Sequence, residues 1–207
     1  MKFRSIAFCC AGLLCSMANA TTNASSLKLQ VYSVMLSTSP QCTSPVTVFS
    51  NATPTEVDFL VAPTLGSGNP PDGTYQCIII KMSDAIKFTP TSNDGTCTGS
   101  VQYATDVCQS GEFTQAPDAG SVTTACNSGA ADLVYLYLTT GRSGSGGGNA
   151  FLQPLAPNNT TYGVNLNSPL VVSGTATAKF VVTAAGAVDG SGASCGMNAP
   201  VFGFKIP

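Results

Sequence analysis

The stretch Asp72-Gly73-Thr74-Tyr75-Gln76-Cys77-Ile78-Ile79-Ile80-Lys81-Met82 predicts the central strand of the fold. Its Asp-Gly pair is a turn signal, and the nine residues that follow carry mostly strand-forming side chains. Side chains alternate between the two faces of a strand, and here both faces are apolar in the middle. Such a strand is covered on both sides, so we expect it inside a sheet and not at its edge.

The segment 27–36 predicts a second strand with a fault in its alternation. Its apolar side chains keep one phase up to Val31 and resume out of phase at Val34. One extra residue near Ser33, a β-bulge, restores the register and keeps both halves facing inward. We therefore expect a long strand with a bulge at its centre.

Several further strands are indicated by alternation and turn signals. They are predicted at 46–48, 57–61, 85–88 (after a bend at 82–84), 101–103 (in a hairpin closed by Asn93-Asp94-Gly95), 133–140, 170–183 (a long strand or a hairpin broken at Gly174) and 202–206. No segment keeps a period of 3.6 residues. The prediction is an all-β, antiparallel two-sheet sandwich, immunoglobulin-like or jelly-roll, with little helix. It forms one domain over 21–207, with an irregular cysteine-containing excursion at about 90–131.

The first twenty residues predict a secretory signal peptide. A basic start, an apolar run too short to span a membrane and the exit Ala18-Asn19-Ala20 are typical of such peptides. Removal of Lys2 and Arg4 changes the formal net charge from −2 to −4. We expect a protein that is exported to the extracellular space, the cell surface or the periplasm, with no membrane span after cleavage.

Six cysteines follow the predicted signal peptide, and an even number in an exported chain predicts three disulfides. They are Cys42, Cys77, Cys97, Cys108, Cys126 and Cys195. Six cysteines allow fifteen connectivities, and spacing alone does not choose among them. We expect Cys42–Cys77, because each borders a strand, and a bridge from Cys195 to one of Cys97, Cys108 and Cys126.

The composition excludes several classes of function. Only 9% of residues are charged and the balance is acidic, which disfavours nucleic-acid partners and anionic lipid surfaces. There is no histidine, so catalytic triads, Cys-His pairs and most zinc and copper catalysis are excluded. We predict no enzyme activity, no cofactor and no metal.

Two further hypotheses concern the functions of carboxylate groups. Glu56 and Asp58 alternate on a predicted strand at a spacing that a glycosidase pair would tolerate, but like charges on an edge strand also resist aggregation. Asn93, Asp94 and the later Asp106 could supply oxygens to Ca²⁺, but turn chemistry explains them equally well. Both alternatives stay open at this point.

The position of Tyr75 two residues before Cys77 resembles the tyrosine corner of immunoglobulin domains. In that feature the tyrosine ties a crossing loop to the sheet. The resemblance covers six residues, 72–77, and the chain has no tryptophan. It implies a local hydrogen bond from Tyr75 and does not identify a family.

Tyr135 and Tyr137 alternate on one face of the predicted strand 133–140 and are the candidate binding residues. Exposed tyrosines stack on sugars or anchor protein partners. The competing interpretation is that they pack beneath the long excursion.

The predicted function is that of a secreted structural or interaction protein, such as a self-assembling filament, coat or matrix subunit. Its partners would be itself, other surface proteins or glycans. Strand 27–36 begins close to the cleavage site and could join a neighbouring subunit by strand addition. Fimbrial subunits offer an analogy, although their C-terminal glycine–aromatic signature is not evident. The alternative is a carbohydrate-binding module or adhesin domain.

Overall fold

A computed structural model describes residues 21–61, 70–107, 113–119, 124–125, 133–143, 149–158, 161–174, 179–198 and 200–205. The predicted signal peptide, Cys108, Cys126 and the glycine-rich residues 144–148 lie outside these ranges. The described chain is almost entirely strand and loop, so the prediction of an all-β protein with little helix is confirmed. None of its described helices is long and apolar enough to cross a membrane.

The described strands are short except for the first. They are β1 (Ala24–Ser37), β2 (Val46–Ser50), β3 (Glu56–Asp58), β4 (Gly73–Tyr75), β5 (Cys77–Ser83), β6 (Ala85–Pro90), β7 (Tyr103–Asp106), β8 (Phe113–Thr114), β9 (Thr124–Ala125), β10 (Leu133–Thr139), β11 (Val164–Asn165), β12 (Leu170–Val172), β13 (Lys179–Thr183), β14 (Val188–Asp189), β15 (Gly196–Met197) and β16 (Val201–Lys205). One 3-10 turn, Phe59–Val61, follows β3.

The principal sheet has eight strands. Six of them are linked by pairing in the order β11-β10-β5-β1-β6-β7, and the other two, β2 and β3, each pair with β1. Strand β5 lies between β1 and β10, and Ile78, Ile79 and Ile80 are all buried. The prediction of a central strand covered on both faces is therefore confirmed. Its predicted start was wrong, because the strand breaks at Gln76 and β4 pairs with β12 in a separate ribbon.

A bulge interrupts β1 where the sequence predicts it. In the ladder with β5, Val31 pairs with Met82 and Ser33 pairs with Lys81, so the register shifts between them. Leu29 and Val31 before the shift, and Val34 and Leu36 after it, are all buried. The extra residue thus keeps both halves of β1 facing the same core.

The sheet bends at the level where β5 passes into β6 and β2 passes into β3. Strands β5 and β6 follow one edge of β1 in succession, with a bend at Asp84 between them. Strands β2 and β3 follow the other edge, with residues 51–55 between them. Backbone bonds from Asn51 N to Tyr32 O (2.7 Å) and from Val107 N to Asp84 O (3.1 Å) join neighbouring strands at this level. Bulges and bends of this kind are how strands turn a corner.

The hydrophobic core lies on the concave side of the curled sheet. It combines Leu27 and Phe88 from one half with Leu36, Ile78 and Leu138 from the other. A smaller cluster of Cys42, Cys77, Ile79 and Tyr137 lies on the outer face of β5 and β10. Strand β1 runs through both halves of the sheet. The finer description of an immunoglobulin-like or jelly-roll sandwich therefore stays a prediction.

Four two-stranded ribbons complete the described fold: β4–β12, β8–β9, β13–β16 and β14–β15. The segment 170–183 is not one long strand, since β12 and β13 belong to different ribbons. Gly174 lies between them with a φ of 59°, which favours glycine. The predicted closing strand is confirmed as β16, and the predicted hairpin is confirmed as the antiparallel pair β6–β7, although its second strand lies at Tyr103–Asp106 and not at 101–103.

Two disulfides join distant parts of the described chain. Cys42 is bonded to Cys77, the pairing expected from the sequence, with 5.3 Å between the Cα atoms. Cys97 is bonded to Cys195, which ties the C-terminal region to the β6–β7 loop across 98 residues. The third predicted bridge would need Cys108 and Cys126, which lie outside the described residues.

Candidate functional site

Tyr137 is not available as a surface binding residue. Its side chain has no exposed area, and its hydroxyl donates a hydrogen bond to the backbone carbonyl of Gln115. Burial raises the pKa of its phenol, and the nearby Tyr135 and Asp118 act in the same direction. The excursion covers this face of β10, so Tyr137 lacks the exposed ring that its predicted binding role assumes.

The covering segment, residues 113–118, is anchored to neighbouring loops. Tyr135 N donates to Thr114 Oγ1 at 2.7 Å, and Ser44 N donates to Asp118 Oδ2 at 2.8 Å. Gln153, itself buried, accepts from Asp118 N and donates to Gln41 O. This packing over the outer sheet face answers the question left open by the sequence in favour of burial for Tyr137.

Tyr135 keeps partial exposure at the margin of the same face. The ammonium of Lys81 lies 5.7 Å from the centre of its ring. A cation at this distance interacts favourably with the ring electrons. Of the two predicted binding tyrosines, Tyr135 alone could contact a ligand, and Lys81 already occupies part of its surroundings.

The carboxylate of Asp58 accepts hydrogen bonds from two backbone N–H groups. Its Oδ1 accepts from Leu27 N at 3.1 Å and from Leu60 N at 3.0 Å. The second bond caps the 3-10 turn that ends β3, which is why the predicted strand 57–61 is shorter than expected. Glu56 forms an ion pair with Lys87 on the outside of the sheet. These contacts favour the edge-strand interpretation over the glycosidase one.

The loop around Asn93 and Asp94 is held by its own hydrogen bonds. Asp94 and Cys97 exchange two backbone bonds, and Asn93 Oδ1 accepts from Gly99 N at 2.7 Å. Within the described residues, no group of three or more potential metal-binding side chains comes together. Turn chemistry accounts for this loop.

Tyr75 forms the contact that its resemblance to a tyrosine corner implies. Its hydroxyl donates to the carbonyl of Pro71 at 2.7 Å, four residues upstream. The next strand begins with Cys77, whose disulfide lies on the outer face of the sheet. The hydroxyl and the bridge therefore fix the chain on either side of Gln76, where it passes from one sheet to another.

One exposed surface was not predicted from the sequence. We define the valine ribbon as β13 and β16, which form an antiparallel pair. Val182 and Phe202 are buried on its inner face, whereas Val181 and Val201 are 38% and 52% exposed on its outer face. No strand of the described chain pairs with the second edge of β13. Alternation in the sequence indicates two faces, but it does not say that this edge is left open.

A cleft of about 1660 Å³ lies against the concave side of the curled sheet. Its apolar lining comes from both halves, including Leu29 and Ile86 on one side and Met82 and Leu136 on the other. Residues 193–198, next to the Cys97–Cys195 bridge, line it as well. Arg142 contributes a positive charge to the lining although its side chain is only 6% exposed. Nothing in the local sequence pattern around Arg142 indicates that it lines this cleft.

No family model matches the sequence, and comparisons with curated proteins and with solved structures give no match.

Proposed function

We propose that the chain is an exported structural or interaction protein that self-associates through the valine ribbon. The observation that carries this proposal is the combination of a covered inner face, two exposed valines on the outer face and an edge of β13 with which no strand of the described chain pairs. Exposed apolar surface next to an unpaired edge is a site for pairing with another chain. The interaction supported best is strand addition between two copies.

The strand proposed for assembly differs from the one that the sequence indicated. Strand β1 has partners on both edges at Lys28 and from Ser33 to Leu36, so that part of the strand is not available to a neighbouring subunit. Its long alternating pattern marks the interior of the sheet. Strand β13 takes its place in the proposal, because one of its edges has no strand partner in the described chain.

The sequence of β13 favours an antiparallel arrangement of two copies. Pairing centred on Val181 places Lys179 of one copy opposite Thr183 of the other. Parallel pairing would place the two Lys179 residues side by side, and like charges directly opposite one another are destabilising. A two-fold symmetric contact of this kind closes on itself and gives a dimer.

Size-exclusion chromatography with light scattering, over a range of concentrations of the oxidised protein, tests the proposal. We expect a concentration-dependent dimer and at least a tenfold weaker association in Val181→Lys. Val171→Lys is the matched control, because Val171 is also exposed (48%) but lies on β12. A monomer at all concentrations, or equal effects of the two variants, would contradict the proposal.

The carbohydrate-binding alternative now depends on Tyr135. The ring is partly exposed and lies beside a cation, as in some surfaces that recognise polar ligands. A glycan array probed with the wild-type protein and with Tyr135→Ala tests it. Binding that survives the substitution would exclude this site.

A further inference from the structure

The two described disulfides differ in their access to solvent. Cys42 and Cys77 have no exposed area, and both belong to the small cluster on the outer face of β5 and β10. In the second bridge Cys97 is 2% exposed, whereas Cys195 is partly exposed. Exchange between a thiol and a disulfide begins when a thiolate attacks one of the two sulfurs, so its rate depends on access to that sulfur. Of these four cysteines, Cys195 is therefore the one that an external thiol reaches most readily.

Cys195 lies in the loop of a short hairpin. Strands β14 and β15 pair at two positions, Val188 with Met197 and Asp189 with Gly196, and residues 190–195 connect them. Residues 191–194 are all exposed and have small side chains, so this part of the loop buries little apolar surface. The position of the loop therefore depends on how its two ends are attached to the rest of the fold.

Each end of the hairpin loop is attached to the β6–β7 loop, one by hydrogen bonds and the other by the bridge. At the first end, the carbonyl oxygen of Gly190 accepts from Thr96 N at 2.9 Å and from Thr96 Oγ1 at 3.1 Å. At the second end, the attachment is the covalent bond between Cys195 and Cys97. Reduction of this bond would leave the contacts of Gly190 in place and would release the second end of the loop.

We propose that the Cys97–Cys195 bridge is a redox switch, which a dithiol reductant opens while the Cys42–Cys77 bridge stays closed. One thiolate of the reductant attacks Sγ of Cys195, the S–S bond breaks, and Cys97 leaves as a thiolate that takes up a proton. The second thiol of the reductant, as a thiolate, then attacks its own mixed-disulfide sulfur and releases Cys195. The reductant gives up two electrons and becomes a disulfide, and the protein gains two thiols. This switch goes beyond the proposed self-association and does not depend on it.

Titration of the folded, oxidised protein with dithiothreitol tests the order in which the bridges open. Thiols released at each concentration are trapped with N-ethylmaleimide and assigned by peptide mass spectrometry. We expect Cys97 and Cys195 to be trapped at concentrations of dithiothreitol at least tenfold lower than Cys42 and Cys77, which serve as the internal control. Opening of both bridges at the same concentration, or of the Cys42–Cys77 bridge first, would overturn the proposal.

Hydrogen exchange of the selectively reduced and trapped protein tests whether the opening is local. We expect at least tenfold faster exchange in residues 191–197, with unchanged protection in β1 and β5. The double variant Cys97→Ser, Cys195→Ser should show the same pattern without reductant. Unchanged exchange in residues 191–197, or lost protection throughout the sheet, would contradict a local switch. If the double variant does not fold, the titration and the exchange of the wild-type protein decide the matter.

Discussion

The hydroxyl of Tyr137 donates a hydrogen bond to the backbone carbonyl of Gln115 and so fastens the excursion to the outer face of β10. Tyr137 has no exposed area, and a second hydrogen bond, from Gln115 N to Phe151 O, holds Gln115 in place. Tyr137, which the sequence predicts to be exposed, is therefore buried and holds the excursion in place by a hydrogen bond.

Tyr137→Phe should lower the free energy of unfolding by about 1–3 kcal/mol, because the Gln115 carbonyl loses a buried donor. Urea unfolding followed by circular dichroism measures this loss. Tyr32→Phe on β1 is the control and should change stability by no more than about 0.5 kcal/mol. Equal stabilities of the two variants would show that the hydroxyl contributes nothing.

The same residue predicts sensitivity to alkaline pH. Burial raises the pKa of Tyr137, whereas a tyrosine in the unfolded chain ionises near pH ~10. Above that pH the unfolded state loses its proton first, so stability should fall as pH rises, by up to about 1.4 kcal/mol per pH unit for this group. Urea unfolding of the wild type and of Tyr137→Phe at pH 8 to 11.5 measures the difference. Parallel pH profiles of the two proteins would contradict the prediction.

Gly95 and Gly190 lie against each other where the β6–β7 loop contacts the C-terminal region. A Cβ on Gly190 would lie 1.6 Å from the carbonyl oxygen of Asp94, and Thr96 N donates to Gly190 O. Gly190→Ala should therefore destabilise the protein by about 1–3 kcal/mol through overpacking. Gly192→Ala is the control, since its nearest contact would be 3.5 Å, and it should stay within about 0.5 kcal/mol of the wild type. Thermal and urea unfolding of both variants distinguish these outcomes.

Loss of the Cys97–Cys195 bridge should lower the free energy of unfolding more than loss of the Cys42–Cys77 bridge, because it closes the longer loop in the unfolded chain. It closes a loop with a sequence separation of 98 residues, and loop-closure entropy assigns about 4.7 kcal/mol to a loop of about this length. The double variant Cys97→Ser, Cys195→Ser should lose a comparable amount. Peptide mapping without reduction checks the pairing itself. Recovery of Cys195 linked to Cys108 or Cys126 would show that the connectivity is wrong.

Local patterns predicted the features that depend on neighbouring residues. Alternation identified β5 as a central strand and placed the bulge of β1 near Ser33, since both follow from which side chains must face the core. The pairing of Cys42 with Cys77 was expected because both residues border strands. The strand and its bulge follow from residues that are close in the sequence, whereas the disulfide joins strand borders that are 35 residues apart.

Features that depend on contacts between distant segments were not predicted. Strand β1 is shared by both halves of the sheet, which depends on β2, β3, β5 and β6 together. Burial of Tyr137 depends on a segment that is some twenty residues away in the sequence, and the environment of Arg142 depends on the curl of the sheet. The lack of a second strand partner for β13 within the described chain is likewise a property of the assembled topology.

The excursion leaves and rejoins the sheet at the bend between β5 and β6. Asp106 pairs with Ala85 and Leu133 pairs with Ser83, so the chain leaves the sheet at the end of β7 and returns to the same side of the next strand only two residues along it. The intervening residues are an insertion whose two ends are already neighbours. A shorter connection could join these two ends without changing the register of either half, but it would leave Tyr137 on the outer face of β10 uncovered.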